Sequence, residues 1–113
     1  MINLRYTPQA QQDLQDIRSY IIDELLNPSA AVNVVMKITK KIRSLANFPL
    51  MGAALSSIVD IETDYRFLVC DNYTAFYRCD NKTVYIIRIL YSRRDFMKIL
   101  FGITMISDEE PTD

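Results

Sequence analysis

Residues 65–95 constrain the fold more than any other part of the chain. This stretch contains three runs rich in aromatic and β-branched residues, at 65–70, 73–79 and 84–91. Asp71-Asn72 separates the first two runs, and residues 80–83 separate the second from the third. Runs of this composition joined by short polar turns predict an antiparallel meander of three strands. Any sheet in the fold is therefore expected to be built around this meander.

The two short turns also predict how the strands pair, because a tight turn fixes which residues lie opposite each other. The predicted partners are Cys70 with Tyr73, Arg66 with Tyr77, Cys79 with Val84, Tyr77 with Ile86, and Ala75 with Arg88. Side chains then alternate between the two faces of the sheet.

One predicted face is apolar and the other is mixed. The first carries Phe67, Phe76, Ile87 and Ile89, so we expect it to pack on helices. The second carries Arg66, Leu68, Cys70, Tyr73, Ala75, Tyr77, Cys79, Val84, Ile86, Arg88 and Leu90. Arginine is costly on a buried sheet position without a partner, so this second face is expected to be open to solvent.

Two interpretations of that open face remain. The arginines are either solvated or paired with Asp60, Glu62 or Asp64, or they form a cationic surface for an RNA backbone or an acidic protein segment. The count of charges fits the second interpretation, since residues 66–98 hold seven basic and three acidic residues.

The rest of the chain predicts helices on either side of the meander. Alternating Ile2, Leu4 and Tyr6 indicate a first strand. Thr7-Pro8 starts a helix that runs to about Leu26, and a second helix runs from about Pro28 to Ala46. A short helix is expected within residues 93–101, closed by Gly102.

This order predicts an α+β fold, with an antiparallel two-helix hairpin packed on one face of an antiparallel sheet and the first strand at the sheet edge. We expect one domain over residues 1–102. Residues 103–113 end in a stretch with four acidic and no basic residues, which predicts a flexible acidic tail.

The composition limits the kinds of functional site that can be expected. The chain has no histidine and only two cysteines, Cys70 and Cys79, at opposite ends of one predicted strand pair, so neither a metal site nor a cofactor site is expected. No segment has the length of a membrane span, and a cytoplasmic protein is expected. RNA cleavage would require a base and an acid, for which Asp60, Glu62 and Tyr77 are candidates, but their spacing singles none out. The sequence favours a binding surface over an active site.

The chain resembles the RelE/ParE superfamily of toxins from type II toxin–antitoxin systems. The matching positions are Tyr6-Thr7-Pro8-Gln9-Ala10, Asp13-Leu14, Ile17, Tyr20-Ile21, Asn27-Pro28, Ala30-Ala31, Ile42, Leu45, Pro49, Gly52, Tyr65-Arg66, Tyr73, Phe76-Tyr77-Arg78 and residues 86–95, IIRILYSRRD. The resemblance implies a toxin that is silenced by a cognate antitoxin encoded beside it. RelE-like members cleave messenger RNA on the ribosome, whereas ParE-like members poison DNA gyrase.

The departures favour the ParE-like mode. Residues 47–65 contain no lysine or arginine, so the RelE-like lysine pair is missing. Phe96 and Ile99 occupy the neighbourhood of the RelE-like terminal tyrosine, and Tyr91 stands where many ParE-like relatives have histidine. We therefore expect a ParE-like gyrase poison. A RelE-like ribonuclease and a non-toxic antitoxin-binding member are the alternatives.

The resemblance and the predicted faces together select the candidate site residues. Binding to a target or antitoxin is expected from Arg66, Tyr73, Tyr77, Arg88, Tyr91, Arg93 and Arg94. In the RelE-like alternative, the catalytic candidates are Arg66, Arg93 and Tyr77.

Overall fold

A computed structural model describes residues 2–92 and 94–102 of the chain. The predicted site residue Arg93 and the predicted acidic tail at 103–113 lie outside the described residues. None of the described helices is long and apolar enough to cross a membrane.

Two capped helices form the predicted hairpin. Helix α1 spans Pro8–Asp23 and helix α2 spans Pro28–Arg43, continued by a 3-10 turn at Ser44–Ala46. The side chains of Thr7 and Asn27 accept hydrogen bonds from the backbone N–H groups of Ala10 at 3.0 Å and Ala30 at 3.1 Å. These caps satisfy N–H groups that the first turn of a helix leaves free, and each is followed by the expected proline. Helix α1 ends at Asp23, three residues earlier than predicted. Leu26, the predicted end, has a left-handed φ of 52°.

The sheet contains the predicted meander and two edge strands. Its strands are β1 (Asn3–Tyr6), β2 (Ala53–Ala54), β3 (Arg66–Cys70), β4 (Tyr73–Cys79) and β5 (Thr83–Tyr91). Their spatial order is β1-β5-β4-β3-β2. The α+β fold, the meander and the edge position of β1 are confirmed. The sheet is mixed, however, because β1 runs parallel to β5, and the short β2 was not predicted.

The register is confirmed from the first turn to Ile86 and wrong beyond it. Tyr77 pairs with Ile86 but Phe76 pairs with Arg88, so Ile87 is an extra residue in β5 and Ala75 lies opposite Ile89. The bulge lies where β1 leaves the sheet. There Thr7 takes over the edge of β5, its backbone N–H donating to the carbonyl of Ile86 at 3.0 Å and its hydroxyl to that of Ile87 at 2.9 Å.

The prediction of which face packs on the hairpin is also wrong. Helices α1 and α2 cover the face that carries Leu68, Ala75, Tyr77 and Ile86, all buried, which was expected to be open. The opposite face packs around Phe76 against the 3-10 turn Leu55–Ser57 and a third helix, α3 (Phe96–Phe101). Both faces carry enough apolar side chains to be covered, so alternation alone could not assign the hairpin to one of them.

The short third helix forms as predicted. The side chain of Asp95 caps it by accepting a hydrogen bond from the backbone N–H of Lys98 at 3.2 Å. Gly102 closes it in a left-handed conformation, with φ of 71°, which glycine adopts at little cost.

Candidate functional site

Arg88 is a structural residue and not part of an open surface. Its Nε and Nη2 atoms donate to Oδ2 and Oδ1 of Asp13 in α1 at 2.8 and 2.9 Å. Asp13 is buried, and its Oδ2 also accepts a hydrogen bond from the backbone N–H of Ile89 at 2.8 Å. The hydrogen bonds that Arg88 donates to Asp13 raise the pKa of Arg88, against the lowering effect of burial. This pair joins α1 to the part of β5 that β1 leaves free, so the prediction that Arg88 faces solvent is wrong.

Arg66 and Tyr77 are used to hold the segment that follows α2. Tyr77 is fully buried, and its hydroxyl donates to the carbonyl of Pro49 at 2.8 Å and accepts from the backbone N–H of Gly52 at 3.0 Å. One amino group of Arg66 donates to the carbonyl oxygens of Gly52 and Leu50 at 2.6 and 3.2 Å. Neither residue lies on an open face as predicted, because the helical hairpin covers Tyr77 and the segment after α2 lies against Arg66.

The carboxylates proposed as partners for those arginines form no bond with them among the described residues. Asp64 forms a two-point ion pair with Arg78, in which both hydrogen bonds measure 2.9 Å. That bond and the charge of Arg78 lower the pKa of Asp64. Asp60 and Glu62 are exposed in the segment that leads to β3.

Two of the predicted tyrosines do meet, at the end of the sheet where the β3–β4 turn lies beside the end of β5. The rings of Tyr73 and Tyr91 pack edge to face with their centroids 5.8 Å apart. Burial raises the pKa of Tyr73, and the nearby phenols of Tyr91 and Tyr20 raise it further. We call Tyr20, Tyr73 and Tyr91 the tyrosine rim. Tyr20 and Tyr91 are 54% and 44% exposed, which leaves much of their rings available to a partner.

Sequence reasoning missed Tyr20. It lies in α1 beside the buried Ile17 and Ile21 but off their apolar stripe. The available signal was a large aromatic side chain on the polar side of an amphipathic helix. Such a side chain does not stabilise the core, so its exposure points to an interaction with a partner.

A small apolar groove adjoins the rim on the α3 side of the sheet. Its volume is about 100 Å³, and its lining residues are Ile58, Phe67, Val69, Thr74, Phe76, Tyr91, Ser92, Arg94 and Phe96. The exposed Arg94, a predicted site residue, is fixed by a hydrogen bond from its backbone N–H to the carbonyl of Tyr91 at 2.9 Å. The hydroxyls of Thr74 and Ser92 bond each other at 2.9 Å across the floor. The structure thus brings Tyr73, Tyr91 and Arg94 together and separates them from Arg66, Tyr77 and Arg88.

The chemistry of the rim and groove suits binding. The raised pKa of Tyr73 keeps its phenol protonated at neutral pH, and the chain contains no histidine to act as a base there. Exposed aromatic rings, an apolar groove and an arginine are the residue types that dominate protein interfaces. They offer contact area and one positive charge.

Comparison with known protein families gives one match over most of the chain. The model of a family described as the ParE toxin of the type II toxin–antitoxin system, parDE, matches residues 4–96. No curated protein matches the sequence.

Several solved structures share the fold. The chromosomal ParDE toxin–antitoxin system from P. aeruginosa is 27% identical with a TM-score of 0.68, covering 80% of this chain and 96% of that one. The toxin–antitoxin complex RelBE2 from Mycobacterium tuberculosis is 20% identical with a TM-score of 0.51, covering 80% and 96%. The DinJ-YafQ complex from E. coli is 16% identical with a TM-score of 0.55, covering 90% and 100%. The last two likenesses concern the fold alone.

Proposed function

The chain belongs to the ParE toxin family of type II toxin–antitoxin systems, and from that premise we propose that it arrests bacterial growth by binding and poisoning DNA gyrase. A cognate antitoxin, encoded beside it, holds it silent until the antitoxin is lost. The toxin acts by binding and performs no covalent chemistry of its own.

The observation that carries this proposal is the use that the fold makes of Arg66 and Tyr77. A RelE-like ribonuclease would need these two groups free to contact RNA. Here the Tyr77 hydroxyl and one amino group of Arg66 are bonded to the backbone of residues 49–52. A buried phenol with both hydrogen bonds already made is a poor proton donor to a substrate. This supports a toxin that binds over a toxin that cleaves.

We place the contact with gyrase at the tyrosine rim and its groove. Tyr91 and Tyr20 supply exposed rings, and Arg94 supplies a positive charge. Arg93, which precedes Arg94 in the sequence, stays a candidate from the sequence alone. Residues of these types, gathered in one place, are the usual origin of binding energy in a protein interface.

Pulse-labelling of DNA and protein synthesis after induction of the chain in bacteria tests the proposal. DNA synthesis should fall first, with DNA-damage signalling, while protein synthesis continues. Translation that stops within minutes, with DNA synthesis failing later, would replace the proposal by a RelE-like ribonuclease. Unchanged growth would indicate a member that binds antitoxin and has no toxicity.

A further inference from the structure

One face of α2 carries a row of polar side chains that can all donate hydrogen bonds. They follow each other at three- and four-residue steps, which places them on one side of the helix. They are Asn33, Lys37, Lys40, Lys41 and Ser44, and they line two adjoining cavities of about 370 and 450 Å³. We call these five residues the lysine stripe. Its three lysines are exposed, and the proposed contact with gyrase does not use them.

The lysine stripe keeps a net positive charge. Helix α2 contains basic residues and no acidic one. Within the described residues the stripe makes one ion pair, between Lys37 and Asp71 at 3.9 Å, and both side chains are at least 70% exposed. Such an exposed pair is weak, so Asp71 does little to neutralise the stripe. Burial raises the pKa of the Cys70 thiol, which lines both cavities, to about 11, so this group adds no negative charge at neutral pH.

The form of the stripe favours a regular polyanion. From Asn33 to Ser44 it extends about 16 Å along the helix axis. One strand of duplex DNA places a phosphate about every 3.4 Å along its own axis, so about four or five phosphates fit that length. Lysines are flexible point charges that contact phosphates without a fixed geometry. The stripe therefore suits the phosphate backbone of a duplex, without a preference for its sequence.

The stripe also lies next to the tyrosine rim. Tyr73 lines one of the two cavities together with Lys37, and its ring packs on that of Tyr91 in the rim. A partner held at the rim is therefore close to the stripe. Gyrase acts on duplex DNA, so a toxin bound to gyrase at the rim has DNA nearby.

We propose that the lysine stripe binds the phosphate backbone of duplex DNA while the tyrosine rim contacts gyrase. The inference rests on the proposed function, which supplies gyrase and its DNA as partners. A contact through three lysines is weak by itself. It gains strength once the rim is engaged, because the second contact is then made within one complex. Holding gyrase and DNA together favours the trapped, cleaved state.

The test compares two variants of the full chain that lose the same positive charge. The stripe variant is Lys37→Gln, Lys40→Gln and Lys41→Gln. The control variant removes three exposed charges outside the stripe, Arg5→Gln, Lys82→Gln and Lys98→Gln. Binding to a labelled 20-base-pair duplex is measured by fluorescence anisotropy from about 50 to 200 mM salt, after circular dichroism has shown that both variants are folded.

The affinity of the unaltered chain should fall with salt, with a slope of log K against log salt of about −2 to −3, as expected for three phosphate contacts. Two duplexes of unrelated sequence should bind equally. The stripe variant should bind about tenfold or more weakly with a slope closer to zero, and the control should stay within about threefold. Asp71→Asn should bind about two- to fivefold more tightly, because it removes a charge that repels phosphate.

Three results would overturn the inference. The first is no binding of the duplex up to about 100 μM protein at 50 mM salt. The second is equal loss, or no loss, in the stripe and control variants. The third is tighter binding of a glutamate-rich peptide than of the duplex at the same salt, which would assign the stripe to an acidic protein segment.

The two proposals fail in different ways. With purified gyrase and plasmid, the stripe variant should need about tenfold more protein than the control to trap cleaved plasmid. If the unaltered chain binds the duplex and leaves gyrase unaffected, the proposed function is wrong. If it traps gyrase and the stripe variant does so equally well, only the stripe is wrong.

Discussion

The hydroxyl of Tyr77 joins the middle of the sheet to a segment 28 residues earlier in the chain. It is fully buried, and both of its hydrogen bonds go to backbone groups, those of Pro49 and Gly52. Gly52 has to be glycine there, since a methyl group on it would overlap the phenol of Tyr77 and the carbonyl oxygen of Phe67. A single polar atom thus fixes where the chain passes after α2.

Tyr77→Phe should lower the free energy of unfolding by about 1–3 kcal/mol, because it leaves a buried N–H and a carbonyl without their partner. Urea denaturation measures the change. Tyr85→Phe is the matched control, since Tyr85 is 38% exposed, and it should change stability by less than about 0.5 kcal/mol. Equal effects of the two changes would show that the Tyr77 bonds do not stabilise the fold.

Cys70 shows how burial changes the reactivity of a residue. Its thiol pKa of about 11 leaves about one molecule in a thousand as thiolate at pH 8. In the native protein, iodoacetamide should label Cys70 far more slowly than the partly exposed Cys79, and the rate at Cys70 should rise with pH up to about 11. Mass spectrometry of quenched samples follows both sites. Labelling of Cys70 at pH 8 as fast as in 8 M urea, about the rate of a free thiol, would contradict this.

At the scale of elements, the ion pair between Asp13 and Arg88 connects α1 to β5. Strand β1 pairs with β5 only as far as Ile86, so beyond it α1 must satisfy the edge of β5. Asp13 does so by accepting from the N–H of Ile89 as well as from Arg88. The carboxylate of Asp13 thus accepts a hydrogen bond from the edge of β5 that a neighbouring strand would otherwise accept.

Asp13→Asn should therefore destabilise the protein by about 3 kcal/mol, because it removes the carboxylate that is hydrogen-bonded to the partly buried charge of Arg88. Asp16→Asn, one turn further along the exposed side of α1, should stay within about 0.5 kcal/mol. Thermal or urea unfolding distinguishes the two. A small effect at Asp13 would mean that solvent compensates Arg88.

The elements themselves were predictable because their signals are local. Thr7-Pro8 and Asn27-Pro28 mark helix starts whatever the rest of the fold does, and the turn at Asp71-Asn72 sets the pairing beside it. The bulge at Ile87 and the covered face of the sheet were not predictable in this way. Both depend on where β1 ends and on how α3 packs against Phe76, contacts between residues far apart in the chain.

The candidate site residues could likewise be predicted only where the signal was local. Tyr73, Tyr91 and Arg94 could be chosen as candidates because each lies at or just beyond the end of a predicted strand, where side chains leave the sheet. Arg66 and Arg88 were misassigned because arginine in a strand was taken as a sign of exposure. Arg66 bonds to a carbonyl of the segment after α2, and Arg88 bonds to the carboxylate of Asp13 in α1. Both partners lie on another element of the fold.

At the scale of the whole molecule, the sheet separates two surfaces. The tyrosine rim and its apolar groove lie at the end of β5 and on the α3 side, and an open cavity lined by Lys37, Lys40 and Lys41 lies on the hairpin side. Tyr73, part of the rim, also lines the neighbouring cavity on the hairpin side, next to Lys37 and Asp71.

The central claim is that the rim acts by binding gyrase, and the most direct measurement is the action of the purified chain on purified DNA gyrase and plasmid DNA. The unaltered chain should inhibit supercoiling and leave gyrase trapped on cleaved plasmid. Tyr91→Ala with Arg94→Ala should weaken this effect at least about tenfold. Tyr85→Ala, an exposed tyrosine elsewhere on β5, should not. Full gyrase activity in the presence of the chain, together with cleavage of messenger RNA on ribosomes by the same preparation, would contradict the account.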